Sequence, residues 1–142
     1  MKKTLPLLLL LLTFFVGCAQ TPAESEELLI YVHDVTEAQL TYDLIEWLDA
    51  TADAARLREL GVDPNALPNG YYIYNPAVDN LTARFTDKTA FEVIDWTKDG
   101  AEHAAVSISS LYTRISAYGR GVPWIITVSN GQVLSMREVY IP

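Results

Sequence analysis

Cysteine and histidine are scarce in this chain of 142 residues, which contains one cysteine and two histidines. No second thiol is present that could form an internal disulfide with the first. The chain also lacks the cysteines, the close histidine spacing and the carboxylate pattern of a zinc site, so His33 and His103 are interpreted as structural or surface residues. The sequence therefore predicts neither a metal nor a cofactor.

Basic residues are also in the minority. The chain contains ten Lys and Arg residues and 18 Asp and Glu residues, which gives a formal net charge of −8. Proteins bind nucleic acid by neutralising its phosphates with Lys and Arg, so a nucleic-acid partner is excluded. A cationic partner is compatible with this charge, as is a charged surface that keeps the protein soluble.

Long apolar runs are absent except for one at the N-terminus, from Leu5 to Val16, which follows Lys2 and Lys3. This run has 12 residues, whereas a membrane-spanning helix needs about 20. A basic start, a short apolar block and a small residue before a cleavage point are typical of a secretory signal peptide. We therefore predict that residues 1–17 are a signal peptide.

The end of this segment, FVGC at 15–18, resembles the lipobox of bacterial lipoproteins. The resemblance implies that a diacylglyceryl group alkylates Cys18, that the signal is cut before it, and that the protein is exported and lipid-anchored in the bacterial cell envelope. Two or three acyl chains hold a protein firmly on a membrane without spanning it. Ala19 stands where Asp would retain a lipoprotein at the inner membrane, which favours the outer membrane in a cell with two membranes. An ordinary secretory signal with a chance cysteine is the alternative.

Cleavage at this point would leave 125 residues, a length that suits one domain. It would also remove two lysines, which would leave 8 basic and 18 acidic residues and a net charge of −10. Residues 18–27 hold the lipidated cysteine and a short polar tether, whose reach as a flexible coil is roughly 15–18 Å. Residues 28–142 are predicted to form a single β-rich domain.

The first half of this domain begins with two strands. The side chains of residues 28–35 point alternately to the two faces of a predicted strand. Residues 40–48 supply a second strand, so the pair is predicted to form a hairpin. Residues 49–61 predict a short helix with Thr51 as its N-cap. Residues 62–70 have the composition of turns.

The middle of the domain is predicted to contain a short β-prone segment at 71–75 and then one further strand at 90–96, joined by a polar linker. A second helix is predicted between Ser107 as its N-cap and Gly119 as its end. Its apolar stripe has helical spacing and consists of Ile108, Leu111, Tyr112 and Ile115.

The chain ends in a hairpin signal, Asn130-Gly131 between two β-prone runs. Val133 and Met136 are the natural core residues of the last strand, but residues three apart cannot share one face of a regular strand. We therefore predict a β-bulge near Leu134-Ser135. The whole order is mainly β with two short helices, β-β-(α)-β-α-β-β, which is the order of the OB-fold, a five-stranded and partly open barrel. An α+β sheet with helices on one face is the alternative.

Four segments of the domain, TYDLIEWL, LPNGYYIYNP, FEVIDW and PWIITVSNGQVLSMREVYIP, together resemble a family of small secreted or lipid-anchored bacterial proteins of unassigned function. The likeness covers most of residues 28–142. It consists of aromatic and turn residues and implies an exported, small, β-rich domain. The family offers no catalytic residues that could be assigned to this chain.

Carboxylate pairs can act as general acids and bases or cleave glycosides. Two groups are candidates for such chemistry, namely Asp43 with Glu46, and Asp95, Asp99 and Glu102 with His103. In a chain with 18 acidic residues, groups of this kind arise by chance. No catalytic residue is therefore predicted, and a carboxylate-based hydrolase is kept as an alternative.

Aromatic residues offer the main candidates for ligand binding, because OB-type barrels bind oligosaccharides or single strands on an open face with stacking rings. We predict Tyr72, Tyr74 and Trp96 as ligand-binding residues, with core packing of these rings as the alternative. A glycan, a peptide or a cationic protein suits the negative charge. The sequence thus favours a non-enzymatic binding or structural role, with inhibition of a cationic secreted enzyme as an alternative, and it leaves the oligomeric state open.

Overall fold

The computed structural model describes residues 24–98, 102–118 and 121–141. The predicted signal peptide and the lipidation site Cys18 lie outside the described residues, as do Asp99 and Gly119. Within the described ranges, no helix has the length and apolar character needed to cross a membrane.

The described chain is mainly β with two helices, as the sequence predicts. The nine described strands are β1 (Glu26–Val35), β2 (Gln39–Leu44), β3 (Glu46–Asp49), β4 (Tyr71–Tyr74), β5 (Leu81–Arg84), β6 (Ala90–Ile94), β7 (His103–Ala105), β8 (Pro123–Ser129) and β9 (Gln132–Glu138). The helices are α1 (Ala54–Glu59) and α2 (Ile108–Tyr118), and a 3-10 turn spans Pro64–Ala66.

Seven of these strands form one sheet in the order β5-β2-β1-β8-β9-β6-β7. The edge strand β5 also meets β9 in parallel through Arg84 and Gln132. The strands β5, β2, β1, β8 and β9 therefore curve into a partial ring. β3 and β4 form a separate two-stranded sheet.

The predicted hairpin at Asn130-Gly131 is confirmed. These two residues join β8 to β9 with φ angles of 50° and 70°, the left-handed values that a two-residue hairpin turn of this type requires. Asn tolerates such an angle better than other side chains, and Gly adopts it at no steric cost.

The predicted bulge in the last strand is also confirmed. Thr127 pairs with Ser135, whereas the next residue of β8 pairs with Val133, so Leu134 is the extra residue of β9. Leu134 is exposed, and the shift of phase brings Val133 and Met136 to the same side, where both are fully buried.

The apolar core lies inside the ring, beneath helix α2. Leu111 and Ile115 of α2 are buried against it, one turn apart on the same helix face. Ser107 caps the helix as predicted, because its Oγ accepts a hydrogen bond from the Ser110 amide at 3.3 Å. The ring contributes the other large buried side chains of this core, among them Ile30, Val32, Leu40, Trp124, Ile126 and Met136.

The prediction of one strand over 40–48 is wrong. β2 ends at Leu44 and β3 begins at Glu46, because the buried Ile45 turns the chain from the ring to the second sheet. The Ile45 amide still donates to the Leu29 carbonyl at 3.0 Å, which ties this corner to β1.

The prediction of a helix over 49–61 with Thr51 as N-cap is wrong at its start. Helix α1 begins only at Ala54, because Asp49 Oδ1 accepts hydrogen bonds from the amides of Thr51 and Ala52 and holds them in a turn. Gly61 ends the helical segment with a φ of 75°, as expected.

Two strands lie where the sequence predicts only linker or loop. β5 has a single buried residue, Ala83, and β7 has three residues and none that is buried. Such segments carry too little apolar alternation to be recognised as strands, and their conformation is set by their neighbours β2, β9 and β6.

Candidate ligand-binding site

A buried ion pair joins helix α2 to the end of strand β9. Glu138 is 4% exposed, and Arg114 donates to its carboxylate from both Nε and Nη2 at 2.9–3.2 Å. Glu138 Oε2 also accepts from the Ile94 amide at 2.9 Å, and Arg114 Nη2 donates to the Ile94 carbonyl at 3.4 Å. The pair therefore fixes α2, β6 and β9 to one another.

Two exposed aromatic rings, Trp96 and Tyr118, lie against Arg114 of this ion pair, and a third, Tyr140, contacts Trp96. We call these three side chains the aromatic patch. Their exposed fractions are 56%, 59% and 41%. The Arg114 guanidinium carbon lies 4.4 Å from the Tyr118 ring centre and 5.9 Å from that of Trp96, and the Trp96 and Tyr140 ring centres lie 5.9 Å apart. Cation–π contacts at such distances hold rings in place. The patch is thus exposed and oriented at the same time.

Local structure explains the position of two of the rings. Trp96 lies just after β6, in a turn held by Asp95 Oδ1, which accepts from the Thr97 amide at 3.0 Å and from its hydroxyl at 2.6 Å. Tyr118 is four residues after Arg114 on α2, so the two side chains share one face of the helix.

The two described carboxylates near Trp96, Asp95 and Glu102, have local partners. Hydrogen bonds from Thr97 hold the pKa of Asp95 below its usual value, so this group is an ionised acceptor at neutral pH. Glu102 pairs with Lys98 at 3.0 Å, and His103 Nε2 lies 2.7 Å from the Glu138 carbonyl oxygen. The contact of His103 ties β7 to the end of β9.

The structure separates the predicted ligand-binding residues. Tyr72 and Tyr74 are half-buried on β4, opposite Leu48 and Glu46 of β3. The guanidinium carbon of Arg56, on α1, lies 5.6 Å from the ring centre of Tyr74. Among the described residues, no ring contact joins either tyrosine to Trp96.

Asp43 is a fully buried carboxylate on β2 that organises the chain between β4 and β5. It accepts hydrogen bonds from the Asp79 amide at 2.7 Å, the Asn75 amide nitrogen at 3.2 Å and the Asn80 amide at 3.3 Å. Burial acts to raise the pKa of Asp43, but these bonds and the contact with His33 outweigh it, and the pKa lies below its usual value.

The contact between His33 and Asp43 is short but not well aligned. His33 Nε2 lies 2.5 Å from Asp43 Oδ2, although its orientation does not meet the angular requirements of a hydrogen bond. The register of β1 shifts between Val32 and Asp34, so His33 sits in the irregular part of the strand. Glu46, the other predicted member of this group, instead pairs with Arg56 at 3.4 Å.

No group of three His, Cys, Asp or Glu side chains with metal-binding geometry occurs in residues 24–98, 102–118 and 121–141.

A separate groove of about 560 Å³ runs between the β1–β2 turn, the β5–β6 loop and the start of α2. Phe85 and Phe91 pack edge-to-face in its wall, with ring centres 5.1 Å apart, and Glu37 and Asp87 also line it.

Sequence reasoning named Trp96 as a candidate but did not name the residues that the structure places around it. Two signals could have found them. Glu138 follows Met136 by two residues, so its side chain points to the same buried face of the last strand. A carboxylate at such a position requires a buried partner. Arg114 and Tyr118 are four apart on the predicted helix, a spacing that brings a cation onto an aromatic ring.

No known protein family, no curated protein and no solved structure matches this chain.

Proposed function

We propose that this protein is a lipid-anchored component of the bacterial cell envelope that binds a neutral glycan without catalysis, through the aromatic patch. Cys18 is the proposed site of lipidation, and the outer membrane is the proposed location in a cell with two membranes. The proposal takes the anchor from the FVGC segment and the ligand class from the geometry of the patch.

The observation that carries the glycan proposal is the exposure of Trp96, Tyr118 and Tyr140 around a fixed arginine. Exposed apolar patches rimmed by polar groups mark interaction sites. The flat C–H faces of sugar rings stack on aromatic side chains, and rings that are already held by Arg114 lose little freedom on binding. Glu138 neutralises Arg114, so Arg114 itself is not free to bind an anionic ligand.

The strand connections are compatible with an OB-like barrel. β5 follows β1 and β2 in the ring, β9 runs parallel to β5, and β8 closes back on β1, with α2 inserted before β8. OB-folds are known binding modules for oligosaccharides. We propose this classification on the order and direction of the strands.

The test is retention of the chain from Cys18 onward on beads of chitin, cellulose and purified peptidoglycan. Trp96→Ala and Tyr140→Ala should each lower the affinity for the retained glycan about tenfold, equivalent to about 1.4 kcal/mol. Tyr112→Ala is the matched control. Tyr112 is 53% exposed and lies on α2, the helix that carries Tyr118, but it is outside the patch. Retention that is unchanged by both patch substitutions, or absent on all three matrices, would refute the proposal.

A second candidate function, binding of a cationic protein, is favoured by the groove lined by Glu37 and Asp87. Apolar rings beside two carboxylates suit a Lys or Arg side chain and its aliphatic stem. Lysozyme can serve as the cationic probe. Binding should weaken as ionic strength rises, and Glu37→Gln with Asp87→Asn should abolish it. Binding that does not depend on salt would count against this candidate.

A further inference from the structure

The strand directions define which end of the domain joins the tether. β1 begins at Glu26, which pairs with Val128 near the end of β8. The Ser129 hydroxyl donates to the Glu24 carbonyl at 3.4 Å, so the chain enters the fold beside the β8–β9 turn. Any anchor at Cys18 therefore attaches at this end of the domain.

The aromatic patch lies at the opposite end of the same strands. β9 starts at the β8–β9 turn and runs away from it to Glu138, and β6 runs parallel to β9. Trp96 follows the end of β6 by two residues, and Tyr140 follows the end of β9 by two residues. Tyr118 is the last residue of α2, and its ring joins them through Arg114.

The separation follows from strand geometry. β9 has seven residues. From its first to its last Cα there are six steps of about 3.4 Å, which correspond to about 20 Å along the strand. A strand tilt of about 40°, common in closed or nearly closed rings, leaves about 15 Å along the ring axis. This distance is comparable to the whole reach predicted for the tether.

We infer that the aromatic patch faces away from the bilayer, so that its ligand is a polymer in the aqueous space beyond the membrane and not a sugar headgroup of the anchoring leaflet. This inference rests on the proposed function for the anchor and the ligand class. Its new content is the position of the patch at the end of the domain opposite the tether, which comes from the register of β1, β8 and β9. A glycan strand of the cell wall has the chemistry and the position that such an outward site would engage.

Orientation is tested without any ligand by quenching of tryptophan fluorescence. The chain from Cys18 onward is coupled through its only thiol to maleimide lipids in phosphatidylcholine vesicles. The difference between wild type and Trp96→Phe isolates the emission of Trp96. Dissolved acrylamide should quench this emission, whereas a nitroxide on the lipid headgroup should leave it within about 10% of its unquenched value. Quenching of Trp96 by the headgroup nitroxide would overturn the inference.

A second experiment links orientation to binding. Vesicles that carry the protein through Cys18 should be retained on beads of the matrix that retains the free chain. Vesicles that carry Cys18→Ser, Ala117→Cys protein should be retained on it at least tenfold less, because exposed Ala117 lies beside Tyr118. Equal retention of both would overturn the inference. Failure of the free chain on chitin, cellulose and peptidoglycan would instead refute the proposed function, and the quenching result would still decide the orientation.

Discussion

The ion pair between Arg114 and Glu138 makes a quantitative prediction about stability. Arg114→Met would leave the Glu138 carboxylate buried with the Ile94 amide as its remaining donor. Loss of one partner from a buried pair typically costs about 3–5 kcal/mol, which is a large part of the 5–15 kcal/mol that holds a domain of this kind. Arg114→Met with Glu138→Met removes both charges and leaves mainly an unpaired Ile94 amide. The double variant should therefore lose only about 1–3 kcal/mol.

The measurement is urea unfolding followed by circular dichroism. The unfolding free energies of the four proteins of the double-mutant cycle are compared, provided that these energies depend equally steeply on urea concentration. Arg137→Met is the matched control, since Arg137 is exposed on the same strand and should change stability by less than about 0.5 kcal/mol. The reasoning fails if Arg114→Met is no more destabilising than this control. It also fails if the double variant loses the full sum of the two single losses.

Two other substitutions test the account of the fold. Asp43→Asn should cost about 2 kcal/mol at pH 7. Because the folded-state pKa of Asp43 is below the ordinary 3.8, this contribution is complete above 3.8 and is lost as the pH falls through the lowered folded-state pKa. Thermal melts of wild type and variant should accordingly converge as the pH falls below 3.8, and a constant gap would contradict the role given to Asp43. Gly131→Ala should cost about 1 kcal/mol, since φ is 70° there, whereas Gly121→Ala, which has open space and no left-handed φ, should be neutral in the same melts.

Local patterns allowed the β8–β9 hairpin to be predicted in detail. Asn130 and Gly131 are turn residues whose conformations do not depend on the rest of the chain. The bulge at Leu134 followed from the need to bury both Val133 and Met136, which is a condition on one strand only. Features of this kind are encoded within a few residues, so sequence reasoning reaches them.

Features that depend on distant partners could not be reached in this way. β5 is a strand because β2 and β9 flank it, although only Ala83 of its residues is buried. Tyr72 is one of the residues predicted to bind ligand, but it is half-buried opposite the buried Leu48, in the small sheet that α1 contacts. The site shows the same limit, because nothing local to Trp96 indicates that Tyr140 will lie beside it.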